Sequence, residues 1–68
     1  MTEEAQEILL KALQFYEIEI LSINGSHVKV KNNYEIEVES NGLYKLLDDG
    51  YIVAPFDDLN ELCRFILI

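Results

Sequence analysis

A chain of 68 residues that is half hydrophobic is one small domain, and it is too apolar to be a disordered acidic tail. Its 13 acidic and 5 basic residues give a formal net charge of −8, which repels nucleic acid and anionic membranes as direct ligands and leaves a basic protein, or a second copy, as the expected partner. The single cysteine, Cys63, excludes an internal disulfide, and with only one histidine the usual zinc sites cannot be built, so neither a metal nor a cofactor is expected.

At this length folding buries roughly 60% of the surface that the unfolded chain exposes, so stability is marginal and a partner chain is the expected source of more. No apolar run approaches the ~20 residues of a membrane span. Glu3 and Glu4 stand where a secretory leader would be positive. A soluble protein in the reducing cytoplasm is the expected setting.

Residues Thr2 to Gln14 have helical periodicity. Ala5, Ile8, Leu9, Ala12 and Leu13 form one apolar stripe, Thr2 is placed to cap, and Glu3 and Glu4 suit the positive end of the helix dipole. From Tyr16 the period changes to two. Tyr16, Ile18 and Ile20 alternate with Glu17 and Glu19, Val28 and Val30 with His27 and Lys29, and Tyr34, Ile36 and Val38 with Glu35, Glu37 and Glu39. That is the signature of half-buried antiparallel strands.

Four short turns cut the stretch Tyr16 to Ala54. Read as three-residue loops, Ile23-Asn24-Gly25, Lys31-Asn32-Asn33, Ser40-Asn41-Gly42 and Asp48-Asp49-Gly50 all match inward side chains with inward ones. The predicted pairs are Ile18 with Val30, Ile20 with Val28, Glu19 with Lys29, Val28 with Ile36, Lys29 with Glu35, Val38 with Tyr44, Ile36 with Leu46, Glu37 with Lys45, Leu46 with Ile52 and Tyr44 with Ala54. Of the five strands, Leu43 to Leu47 has the weakest pattern, since the same residues suit a helical turn. Pro55 cannot donate to a ladder and is expected to end the fifth strand. Asp58 followed by Glu61 has the spacing of a capping box, or Asp57 caps with Phe56 packed just before the helix, and Leu59, Leu62, Cys63 and Ile66 then form the core stripe of a helix running to about Leu67. The predicted fold is α+β, a single domain over 1–68, with a five-stranded antiparallel meander and an N-terminal and a C-terminal helix on one face. An odd number of strands sets those two helices parallel.

The open face of such a sheet has two parts. Glu17, Glu19, Glu35, Glu37 and Glu39 form acidic rows with Lys29 and Lys45 among them, which suits either a basic docking partner or plain solvation. Leu21, Leu43, Leu47, Tyr51 and Val53 point outward under the same register, and with Lys45 the residues of the fourth and fifth strands make the expected protein interface. The seam around Glu37, Lys45, Leu47 and Tyr51 is the first place to look for a working surface.

Catalysis has little support in the sequence, so no enzyme is expected. Glutamates on a flat wet face lack the environment that separates the pKa values of an acid and a base. Asp48-Asp49-Gly50 opens like a calcium loop, but Leu59 stands where the twelfth-position glutamate belongs. A Cys63–His27 pair has no supporting spacing. The three glycines are all used in hairpin turns, so no phosphate loop remains.

In size, charge and element order the chain resembles small phage and mobile-element proteins, some anti-CRISPR inhibitors among them. The likeness carries over no residue. Beside a dimerising or partner-docking module, the −8 charge and the glutamate rows point to a second function, an acidic inhibitor that occupies a basic, nucleic-acid-binding surface.

Overall fold

The computed structural model describes Thr2–Ile68, with the side chains of Thr2 and Glu3, and so the capping and first-turn roles expected of them, lying outside the described set. The order is α1 (Thr2–Phe15), β1 (Ile20–Asn24), β2 (His27–Val30), β3 (Tyr34–Val38), β4 (Tyr44–Asp48), β5 (Tyr51–Phe56) and α2 (Leu59–Leu67). The strands form one antiparallel sheet in sequence order, and both helices contribute to the core on one of its faces. Leu43–Leu47, the weakest strand in the sequence, lies almost wholly within β4.

The middle of the sheet has the predicted register. Val28 pairs with Ile36, Lys29 with Glu35, Ile36 with Leu46, Glu37 with Lys45 and Val38 with Tyr44. The inward residues of these strands, Val28, Val30, Ile36, Val38, Tyr44 and Leu46, are all buried. Above them lie Leu9 and Leu13 of α1 and Leu62, Cys63 and Ile66 of α2, also buried. Each buried aliphatic side chain of this kind stabilises by about 1.5–3 kcal/mol relative to exposure. Ile8, counted in the apolar stripe of α1, is instead half exposed, because the inward face of the helix is centred on Leu9 and Leu13.

Both outer hairpins depart from the three-residue rule. Asn24 pairs with His27, so the first turn is the two-residue Gly25-Ser26, with a positive φ at Gly25 alone of the pair, as in a type II′ turn. Ile23 then faces Val28, Ile20 faces Val30, and Leu21 is an extra residue absorbed as a bulge. Ile18 therefore does not pair with Val30, nor Ile20 with Val28, and Glu19 stands opposite Lys31 rather than Lys29, through Lys31 N–H to Glu19 C=O at 3.2 Å. At the far edge Asp48 pairs with Tyr51 across Asp49-Gly50, both with positive φ, as a type I′ turn requires. Leu47 then faces Ile52, Leu46 faces Ala54 and Tyr44 faces Phe56, with Val53 as the extra residue. Pro55 does not end β5. It sits inside the strand opposite Lys45, tolerated because β5 is an edge strand.

The first strand starts late because α1 ends in a tight closure. Glu17 N–H donates to Gln14 C=O at 3.0 Å and Ile18 N–H to Leu13 C=O at 2.9 Å, the paired bonds of a Schellman motif. Glu17 occupies its left-handed position, φ 58°, where glycine is usual. Ile18 then packs into the core with Leu13, the apolar contact that accompanies this closure. Asp58 caps α2 by accepting from Asn60 N–H at 2.8 Å. The Tyr16 hydroxyl donates to Asn60 Oδ1 at 2.9 Å and brings the end of α1 to the first turn of α2. A strictly side-by-side parallel pair would hold those ends apart, so the helices are inclined to one another.

Candidate functional site

Cross-strand partners share a face, so the register fixes the composition of the open side of the sheet. One row across all five strands is Ser22, Lys29, Glu35, Leu47 and Ile52. The next is Asn24, His27, Glu37, Lys45 and Pro55. Glu39 and Leu43 follow at the β3–β4 end, joined by Glu39 N–H to Leu43 C=O at 2.9 Å.

The charges on this face are matched to one another. His27 Nδ1 contacts Glu35 Oε2, and its Nε2 lies 3.9 Å from Glu37 Oε2, so the imidazole sits between two carboxylates. Lys45 Nζ lies 2.8 Å from Glu39 Oε1. That hydrogen bond, with the negative charge of Glu39 and then of Glu37, pushes the Lys45 ammonium above its ordinary value. The groups involved are a quarter to two-fifths exposed, so water and salt screen each pair and it contributes little to stability. Their effect is on the character of the face. Lys29 and Lys45 stand among the three strand glutamates, a balance of −1 with His27 counted as neutral, so the acidic rows expected from the sequence are partly offset.

Two of the five expected acidic residues do not belong to this array. Glu17 is the left-handed residue that closes α1, and Glu19 precedes β1 at the margin of the sheet. Glu35, Glu37 and Glu39 hold the predicted positions.

The apolar part of the face is also redrawn. Leu43, Lys45 and Leu47 point outward as expected and are half-buried. Tyr51 shares the helix-side face with Asp48 and Tyr34, although it is itself largely exposed, and Val53 is the bulged residue. Ile52, assigned to the core from the sequence, is the residue that joins Leu47 on the open side, 62% exposed. The signal for this was the Asp49-Gly50 dipeptide, a strong two-residue hairpin sequence that sets an outward position at Ile52. Leu47 and Ile52 are thus neighbours on the open side, Pro55 lies in the next row beside Lys45, and Leu43 lies one row further on. Leu21, also expected outward, is exposed in the β1 bulge.

Two shallow recesses lie on or beside this face, one lined by Ser22, Asn24, His27, Lys29 and Glu35, the other by Lys29, Asn33, Glu35, Asp49 and Gly50. Among the described residues no cluster of three histidine, cysteine or acidic side chains is arranged to hold a metal ion, and no helix is long and apolar enough to cross a membrane. Cys63 is fully buried on the inner side of α2, where burial pushes its thiol pKa up, while His27 stands on the opposite side of the sheet. The sheet itself separates those two groups. Comparison with known proteins finds no matching family model, no matching curated protein and no matching solved structure, so the character of this face is what carries a functional reading.

Proposed function

We propose that the chain is a non-enzymatic protein-interaction module that docks through the open face of its sheet at β4 and β5. One observation carries this: Leu47 and Ile52 stand side by side on the open face, with Pro55 in the next row and Leu43 beyond Lys45, beside glutamates whose carboxylates lie against His27 and Lys45. Apolar side chains gathered on one side of a small sheet favour burial against a partner. Charges matched within the face keep the adjoining half from opposing that contact. The flat, wet placement of the carboxylates also supports a binding rather than a catalytic role.

The test is an Ile52→Glu, Leu47→Glu variant compared with the native chain in affinity capture from host lysate and in light scattering. Loss of a reproducible protein partner, or of self-association, with the fold retained supports the reading. Unchanged partners and unchanged mass would remove the face from consideration.

A second reading is the acidic inhibitor of a basic surface. It is favoured by acids that lie outside the described ion pairs, at the ends of the sheet: Asp48 at the end of β4 with Asp49 in the turn after it, and Asp57 and Asp58 before α2. Binding of that kind weakens steeply with salt. Charge reversal at Asp48 and Asp49 would then weaken it more than reversal at Glu37.

A further inference from the structure

We propose that Asn41 is a site of spontaneous modification. The Gly42 backbone nitrogen attacks the Asn41 side-chain amide, ammonia leaves, and water opens the resulting succinimide to aspartate or isoaspartate. The proposal does not depend on what docks at the open face.

The chain holds two Asn-Gly pairs, Asn24-Gly25 and Asn41-Gly42. Glycine has no Cβ to crowd the approach of its nitrogen to the preceding side chain, so both pairs meet the sequence requirement. All four residues are exposed, and a Cβ at either glycine would meet nothing within 4 Å. Sequence and access therefore leave the two pairs alike, and the fold separates them.

Attack requires rotation about the Cα–C bond of the asparagine, which swings the next nitrogen toward Cγ. Asn24 is the last residue of β1 and pairs with His27, so the ladder holds that bond extended and the rotation would break the pair that closes the hairpin. Asn41 lies between β3 and β4, outside both strands. Its loop is closed by Glu39 N–H to Leu43 C=O at 2.9 Å, and rotation there disturbs at most that single bond.

The Asn41 amide is also polarised. Leu43 N–H donates to Asn41 Oδ1 at 3.2 Å, an Asx turn. The ring that this bond closes contains both the electrophile, Asn41 Cγ, and the nucleophile, Gly42 N. Attack develops negative charge on Oδ1, and Leu43 N–H is already aimed at that atom, as the donor of an oxyanion hole is. Holding the two reacting atoms in one small ring also lowers the entropy cost of bringing them together.

The step is balanced by water alone. Gly42 N gives its proton to solvent and forms the bond to Cγ. The Cγ–NH2 bond breaks, and its nitrogen takes up a proton and leaves as ammonia. Water then cleaves the ring at Cγ to give aspartate, or at the main-chain carbonyl to give isoaspartate. Either product adds one negative charge to the formal −8. Isoaspartate also lengthens the backbone by one carbon in the loop next to Glu39, whose carboxylate holds Lys45 at 2.8 Å.

The experiment incubates the native chain in warm, mildly alkaline buffer and locates the replacement of –NH2 by –OH by peptide mass spectrometry, with isoaspartate scored by an isoaspartyl methyltransferase. Asn41 should convert several-fold faster than Asn24 in the folded chain. In urea sufficient to unfold the protein, the two rates should approach each other. Equal conversion in the folded chain, or faster conversion at Asn24, overturns the proposal. A preference for Asn41 that is as large in urea as in buffer removes the role of the Leu43 N–H and of the β1 ladder, and so overturns it too. Asn41→Ala should lower ammonia release from the folded chain to the slower rate of Asn24, and release unchanged by that substitution places the reaction elsewhere.

Discussion

Replacing Glu17 by glycine is expected to stabilise the protein. Among the described residues four non-glycine ones have positive φ, and three of them, Asn32, Asn33 and Asp49, are of the types that tolerate it. Glu17 is the exception. A side chain with a Cβ in the left-handed region costs about 1–2 kcal/mol. Glu17 also places a negative charge at the C-terminal end of α1, which has no basic residue in its last turn, and this opposes the helix dipole by about 0.3–1 kcal/mol. Glycine removes both penalties and returns about 0.5–1 kcal/mol through the greater freedom of the unfolded chain. The net gain is about 1 kcal/mol, or roughly 4–8 °C in melting temperature for a domain of this size. Urea and thermal unfolding of Glu17→Gly and Glu17→Gln separate the contributions, since glutamine removes only the charge. Glu17→Gln should gain a few tenths of a kcal/mol, and glycine clearly more. A glycine variant no more stable than the glutamine variant would refute the strain argument.

Other substitutions probe the core and the caps. Leu62→Ala empties a fully buried site and should cost about 2–5 kcal/mol, a large part of the roughly 3–10 kcal/mol expected for a chain this short, so circular dichroism should show substantial unfolding near room temperature. Asp58→Ala removes the 2.8 Å cap on Asn60 N–H and should lower stability by about 1 kcal/mol in a denaturant titration. Cys63 has its thiol pKa raised by burial, so above the ordinary thiol value the unfolded chain holds fewer protons than the folded one. Its contribution is therefore complete below that value and falls as pH rises from it toward the folded pKa. The unfolding midpoint should decline in that alkaline range for the native chain and less so for Cys63→Ala. The same burial should keep the native thiol silent toward a thiol reagent until the chain opens.

The centre of the sheet was legible in the sequence because its loops carry direct markers. Asn33 and Gly42 mark left-handed positions, and strict alternation from Tyr34 to Val38 leaves only one face for the core. Asp58 was legible as a cap for a similar reason, a polar residue placed just before an apolar helical stripe. The outer hairpins were harder. A bulge decouples the turn from the register beyond it, so facing inward pairs at one end of a ladder says nothing about the other end. Leu21 and Val53 are apolar residues in apolar strands, and no local feature marks them as the extra ones. Glu17 misled differently. Tyr16, Ile18 and Ile20 alternate as a strand does, but Tyr16 to Ile18 close a helix with hydrogen bonds that sequence spacing does not reveal. In the candidate site, the pairing of Glu37 with His27 and Lys45 followed from the central register. The place of Ile52 on the open side, and the loss of Tyr51 from it, followed only from the turn at Asp49-Gly50.

Strand order in this sheet is sequence order, and that shapes how the chain finds its fold. Each ladder closes over two or three residues, whereas the Tyr16–Asn60 hydrogen bond spans 44. Loop-closure entropy makes the longer closure costlier by about 2 kcal/mol when it forms from the open chain. Once the hairpins have zipped, the sheet carries α1 and α2 toward each other and most of that difference disappears. The favoured route forms the meander first and closes the two helices over it, with the seam between Tyr16 and Asn60 among the last contacts made. Deleting that hydrogen bond with Tyr16→Phe should accelerate unfolding and leave the folding rate nearly unchanged in a stopped-flow chevron.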